Sequence, residues 1–179
     1  MRKNLVKLLF ICTAGVLLVG CDEQKTLDVI SAIKPDAVAF GNLQPGVSTV
    51  DDIRRQAGKP EMVWQNEDGS QRLEYPRGPN GTSTYMVDVG SDGRLVAITQ
   101  VLNAANIAKV VPGMALDDVR QLLGKPTTVA QYALSHETVW SWHWDEGGVS
   151  RDAMFNAHFS PEGVVFRTSR SEAPGHEQH

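Results

Sequence analysis

Three sets of residues in this sequence are of types that could do chemistry. Asp51-Asp52 and Asp117-Asp118 are paired carboxylates, the groups that general acid–base catalysis uses. Adjacent residues on a helix point about 100° apart, so neither pair converges. In the first turn of a helix the same acids favour the dipole instead. Trp140, Trp142 and Trp144 alternate, so all three fall on one face of a strand. That face either packs as core or stays partly open as an aromatic platform for a partner, a lipid or a glycan. His143 and His158 lie on the opposite face, and would share it if their two strands pair. Only Asp145 and Glu146 stand nearby, short of a convincing set of three or four metal ligands, so solvent-exposed histidines are expected. Gly78 to Gly81 and Gly147-Gly148 read as turns, because neither sits between a strand and a helix as a phosphate loop does. There is no Gly-x-Ser-x-Gly or His-Glu-x-x-His, and no nucleophile–base pairing stands out. The expectation is a chain without catalytic residues, metal or cofactor.

The thiols are disposed of early. Arg2, Lys3 and Lys7 give a positive start, followed by an apolar run from Leu8 to Val19 that only Thr13 interrupts. The run is short of the ~20 residues that span a bilayer and reads as a secretory signal over residues 1–20. It ends in Leu18-Val19-Gly20-Cys21, similar to the bacterial lipobox, which implies attachment of a diacylglycerol to the Cys21 sulfur and then cleavage before that residue. Cys12 would leave with the signal, so no disulfide is expected and stability must come from packed cores. Removing three of the 17 Lys and Arg leaves 14 against 21 Asp and Glu, a net charge near −7. Nucleic-acid binding, which needs basic clusters, is excluded on that ground. The expected place is the bacterial envelope, lipid-anchored and periplasm-facing. Asp22 resembles the enterobacterial inner-membrane retention signal, and outer and inner membrane both remain open.

The element that organises the chain is duplicated. Asp51-Asp52-Ile53-Arg54-Arg55-Gln56-Ala57-Gly58-Lys59-Pro60 returns as Asp117-Asp118-Val119-Arg120-Gln121-Leu122-Leu123-Gly124-Lys125-Pro126, a shift of 66, each copy after a Pro-Gly step. Each reads as a helix: Ser48 or Thr49 as N-cap in the first, acids in the first turn, and a Gly-x-Pro stop. The inner stripes are Val50, Ile53 and Ala57, then Leu116, Val119 and Leu123. Strands are expected at 62–65, 71–77, 83–89 and 94–101, then at 137–144, 153–159 and 164–169, with hairpin turns such as Ser91-Asp92-Gly93. The expected organisation is a tether or short helix over 21–40, unit one over 41–102, unit two over 103–171 and a disordered tail over 172–179. Each unit, at about 60 residues, would bury too little surface alone, so the two should pack together.

The run Ile107-x-x-Val110-x-Pro112-Gly113-Met114-x-x-Asp117-Asp118-Val119-x-x-Leu122-Leu123-Gly124-x-Pro126, with the tryptophan strand behind it, resembles the BamE (SmpA/OmlA) family of bacterial lipoproteins. The resemblance implies an α+β fold of two tandem ααβββ units, each a helix or helix pair on an antiparallel sheet. It departs from that family in being doubled, a layout also similar to β-lactamase inhibitor proteins. It implies a non-catalytic module that binds an envelope protein, in outer-membrane protein assembly or envelope integrity, with Trp140, Trp142 and Trp144 as the partner-binding residues. The alternative is an envelope ligand-binding lipoprotein, enzyme or inhibitor using the same strand.

Overall fold

The computed structural model describes residues 36–77, 82–146 and 152–173. The signal segment, Cys21 and all of the leading segment before Asp36 lie outside the described residues, as does the tail beyond Ala173. Among the described residues there are four short helices and eight strands, in the order α1 (Asp36–Phe40), α2 (Val50–Ala57), β1 (Met62–Gln65), β2 (Gln71–Arg77), β3 (Ser83–Val89), β4 (Leu95–Gln100), α3 (Ala104–Ile107), α4 (Leu116–Leu123), β5 (Thr128–Tyr132), β6 (Glu137–Asp145), β7 (Asp152–Phe159) and β8 (Val165–Glu172). They form an α+β fold with two antiparallel sheets, ordered β1-β2-β3-β4 and β5-β6-β7-β8.

Each unit therefore carries four strands, one more than the ααβββ expectation. In unit two the extra strand is β5, which the sequence pattern hides because every one of its residues is exposed. An edge strand with neither face buried leaves no apolar alternation to read. A short helix at Ala104–Ile107 precedes α4, started by the Asn103 side chain, which accepts from the Asn106 amide at 3.0 Å. Glu172, expected in the tail, ends β8, and Ala173 is buried.

The duplicated helix is anchored identically in both units. The α2 segment pairs with the β3–β4 hairpin through Gly46 N to Leu95 O, Leu95 N to Ser48 O and Val50 N to Gly93 O. The α4 segment repeats this on the β7–β8 hairpin through Gly113 N to Val165 O, Val165 N to Met114 O and Leu116 N to Gly163 O. Each helix turns its apolar stripe onto its own sheet: Ile53 and Ala57 against Leu73, Tyr75, Val87 and Val89, and Val119 and Leu123 against Trp142, Phe155 and Phe159. Side chains of this size contribute about 1.5–3 kcal/mol each when fully buried. The helix stops are matched too. Tyr75 Oη donates to the Gly58 carbonyl at 3.1 Å, and Trp142 Nε1 to the Gly124 carbonyl at 3.0 Å. Burial pushes the Tyr75 phenol up to about 12, which keeps it a donor.

The units meet face to back. On β2, Glu74 points away from the unit-one core yet is fully buried. It accepts the Lys125 amide, just past the end of α4, at 2.5 Å, and pairs with Arg120 at 3.2 Å. Lys125 reaches on to Glu61 at 2.6 Å. Gly124 fits against this face so closely that a Cβ would lie 2.5 Å from Thr84 Cγ2. The C-terminal end of α4 thus covers the part of the first sheet's outer face around Glu74 and Thr84.

Candidate functional site

The tryptophans go to the covered side. Trp142 is fully buried, Trp144 is 7% exposed, and Trp140 is partly buried against Trp142 and Phe159 at centroid distances of 6.0 and 5.3 Å. All three lie on the inner face of β6, where they fill the core beneath α4. The aromatic bulk has a packing reason: unit two offers Ala57's counterpart as Leu123 but places the small Ala153 and Ala157 opposite the rings on β7. A molecule approaching this strand meets its other side.

The outer face of the second sheet forms a shallow cleft of about 460 Å³, lined from all four strands by residues that include Thr128, Val139, Asn156, His158, Arg167 and Ser169; its floor, with Val139 and His158, is buried. Its counterpart on the first sheet is a cleft of about 530 Å³ bounded by Arg72 and Thr99, but there unit two supplies a wall of Asn106, Lys109, Met114, Asp118, Gln121 and Leu122. The strand registers make the two clefts equivalent. Tyr75 pairs with Tyr85 where Trp142 pairs with Phe155, which fixes shifts of 67 on β2/β6 and 70 on β3/β7. Arg72 thus corresponds to Val139, Asp88 to His158 and Thr99 to Ser169. In unit one, Arg72 grips Asp88 at 2.7 and 3.1 Å. In unit two, different chemistry stands at the same place.

His158 and His143 share this face, since β6 and β7 pair, but they are not brought together. His158 stands opposite Val139 and His143 opposite Met154, four residues apart along the strand, or ~13 Å. Neither is solvent-exposed, against the expectation: His158 is 7% and His143 9% exposed. The His143 amide donates to Thr127 Oγ1 at 2.9 Å. Among the described residues no three His, Cys, Asp or Glu side chains gather as a metal site would require.

His158 does acquire partners that the sequence pattern did not single out. Its Nδ1 lies 3.0 Å from Glu137 Oε2 and its Nε2 3.0 Å from Ser169 Oγ. Arg167 Nη2 donates to the same Glu137 oxygen at 3.4 Å, and Ser135 Oγ to Oε1 at 3.2 Å. Burial alone would raise the Glu137 carboxyl; the bonds from His158 and Ser135 and the Arg167 charge outweigh it and hold the group below the usual range. Asn156 Nδ2 donates to Ser169 Oγ at 3.4 Å and to Ser171 Oγ at 3.2 Å. The result is a serine hydroxyl, an imidazole and a carboxylate in one hydrogen-bonded line across β8, β7 and β6. The signal in the sequence was period-2 alternation: Glu137, His158 and Ser169 all occupy outward positions, and only the register says that they meet.

No protein-family profile matches the chain, and no curated protein does. Among solved structures the chain is similar to a Streptococcus mutans protein provisionally named a beta-lactamase inhibitor protein, with 14% identity and a TM-score of 0.31, covering 84% of this chain and 96% of that one. It is similar to a DUF4309 family protein from Bacillus subtilis, with 12% identity and a TM-score of 0.31, covering 85% and 97%. A third is an extracellular protein containing a SCP domain from Bacillus anthracis, with 8% identity and a TM-score of 0.29, covering 78% and 47%. The first shares its description with the second of the two layouts that the sequence resembles, and none of the three is described as BamE-like. Superpositions this loose carry no functional argument.

Proposed function

We propose that this chain is a periplasm-facing lipoprotein, held to an envelope membrane by a lipid on Cys21, that works by binding another envelope protein. Its binding surface is the outer face of the second sheet. One observation carries the reading: the equivalent face of the first sheet receives the end of α4, whereas among the described residues no element is seated on this one. The surface suits a polar, reversible contact rather than a permanent apolar one. Thr128, Ser141, Asn156, Ser169 and Ser171 supply hydrogen-bonding groups, and Val139, Ala130 and Tyr132 supply the apolar part. The buried tryptophans shape the sheet from behind and do not touch the partner. The doubled helix-and-sheet layout fits accessory roles in outer-membrane protein assembly or envelope integrity.

A photo-crosslinking residue placed at Ser171 or Thr128 should yield a discrete adduct in intact cells, while the same residue at exposed Val47 on unit one should not. Equal yields at both places, or none at Ser171 and Thr128, would remove the open face from the account. Anchoring is checked separately: Cys21→Ala should release the protein from the membrane fraction.

A further inference from the structure

The line Ser169–His158–Glu137 invites a stronger reading than a polar patch, one that goes beyond partner binding and does not rest on it. We infer that the open face of the second sheet carries a reactive serine, Ser169, activated by His158 and oriented by Glu137, and that it accepts the acyl group of a small carboxylic ester. Nucleophilic catalysis requires a hydroxyl within hydrogen-bond reach of a base whose other nitrogen is held by a third group. Both contacts are present at 3.0 Å. The base is buried, so its ring is fixed, and the hydroxyl lies in a cleft open enough to admit a ligand.

With the ring proton on Nδ1, donated to Glu137, Nε2 accepts from Ser169 Oγ–H. Attack forms the bond from Oγ to the ester carbonyl carbon as the hydroxyl proton passes to Nε2. The carbonyl π pair moves onto oxygen; Asn156 Nδ2, which donates to Oγ itself at 3.4 Å, is the side-chain donor beside the nucleophile. Collapse re-forms the carbonyl, breaks the bond to the alkoxide and returns the proton from Nε2 to that leaving group. Water repeats the sequence on the acyl-serine and yields the free acid. Val139, Ala130 and Tyr132 line the same cleft, so an alkyl or aryl acyl chain has an apolar wall to lie against. A single side-chain donor is a sparse oxyanion site, since the strand amides are engaged in the ladder. Acylation should therefore be easier to detect than turnover.

The full chain, purified in detergent, is treated with a fluorophosphonate probe, which forms an Oγ–P bond and expels fluoride as the serine proton is taken up by the base. Peptide mapping should place the adduct on Ser169 and leave Ser171 and Ser141, which share the face, unmodified. Ser169→Ala should abolish labelling, His158→Gln should slow it at least ~100-fold, and Glu137→Gln should slow it with recovery in Glu137→Asp. An unlabelled Ser169, labelling spread evenly over Ser141, Ser169 and Ser171, or a rate unchanged in a folded His158→Gln protein would each overturn the inference. Peptide mapping of the unmutated chain decides the matter even if His158→Gln does not fold. Partner crosslinking is measured on the unmutated serine and histidine, so failure of probe labelling and failure of crosslinking are read separately.

Discussion

The two copies of the repeated helix differ at the N-cap. Thr49 accepts from the Asp52 amide at 3.3 Å while the Asp52 carboxylate accepts from the Thr49 amide at 2.9 Å, a complete capping box. At the same place α4 has Ala115, with the extended backbone of an N-cap and no side chain to cap with. Ala115→Thr should therefore add about 1 kcal/mol to the stability measured by urea unfolding. Asp52 also sets a pH dependence. The Thr49 amide and hydroxyl, then Arg55, lower its carboxyl from 3.8 to about 2. A carboxyl depressed in the folded state contributes above its unfolded value and loses that contribution as pH falls through the folded one. The stability gap between the protein and Asp52→Asn should hold above pH 4 and close as pH falls towards 2. Ser48 or Thr49 was readable as a cap from residue type alone; that Thr49 completes a box and Ala115 does not required knowing where each helix starts.

At the level of elements, what the sequence discloses and what it conceals divide by burial. The two copies of the repeated helix, their Gly-x-Pro stops and the strands with one covered face were legible, because burial imposes a period on residue type. β5 was not, because both its faces are wet. The Glu137–His158–Ser169 line was not, because it depends on register. The β6–β7 connection is three residues longer than its unit-one counterpart, and a bulge lies between His158 and Phe159. A slip of one residue would send His158 inward and Phe159 out. The stops had a second purpose that residue type could not convey. Gly124 is at φ 82°, a conformation that favours glycine, and its missing Cβ makes room for Thr84 of the other sheet. Gly124→Ala should cost at least ~1–3 kcal/mol in unfolding free energy, from the backbone alone.

Over the whole molecule, the packing of the two units hangs on one carboxylate. Glu74 is fully buried; burial raises its pKa, opposed by the Lys125 amide and by Arg120. Removing one partner from a buried pair strands the other, so Glu74→Ala should cost about 3–5 kcal/mol. Because three of the four tryptophans, Trp140, Trp142 and Trp144, lie in unit two and only Trp64 in unit one, tryptophan fluorescence reports mainly the second half, while circular dichroism reports both. The two signals should melt together in the unmodified protein and separate in Glu74→Ala, and coincident melting in the variant would show that the units are held by other contacts. The expectation that units of this size must pack together acquires here a named residue.

The way α4 sits on the first sheet is head-to-tail: one unit offers a helix end, the next a sheet face, and the two surfaces are unlike. Such a relation has no symmetry that closes it, and repeated it would propagate as a filament. Among the described residues nothing is seated on the end of α2, with exposed Arg54 and Lys59 around Gly58, or on the outer sheet face of unit two. What is missing is the receptor carboxylate, for the residue at Glu74's place in unit two is Ser141. Without it an incoming Gly-Lys-Pro end finds no buried acid for its amide and its arginine. Polymerisation ends after one step, and the last face is left free for something other than another copy.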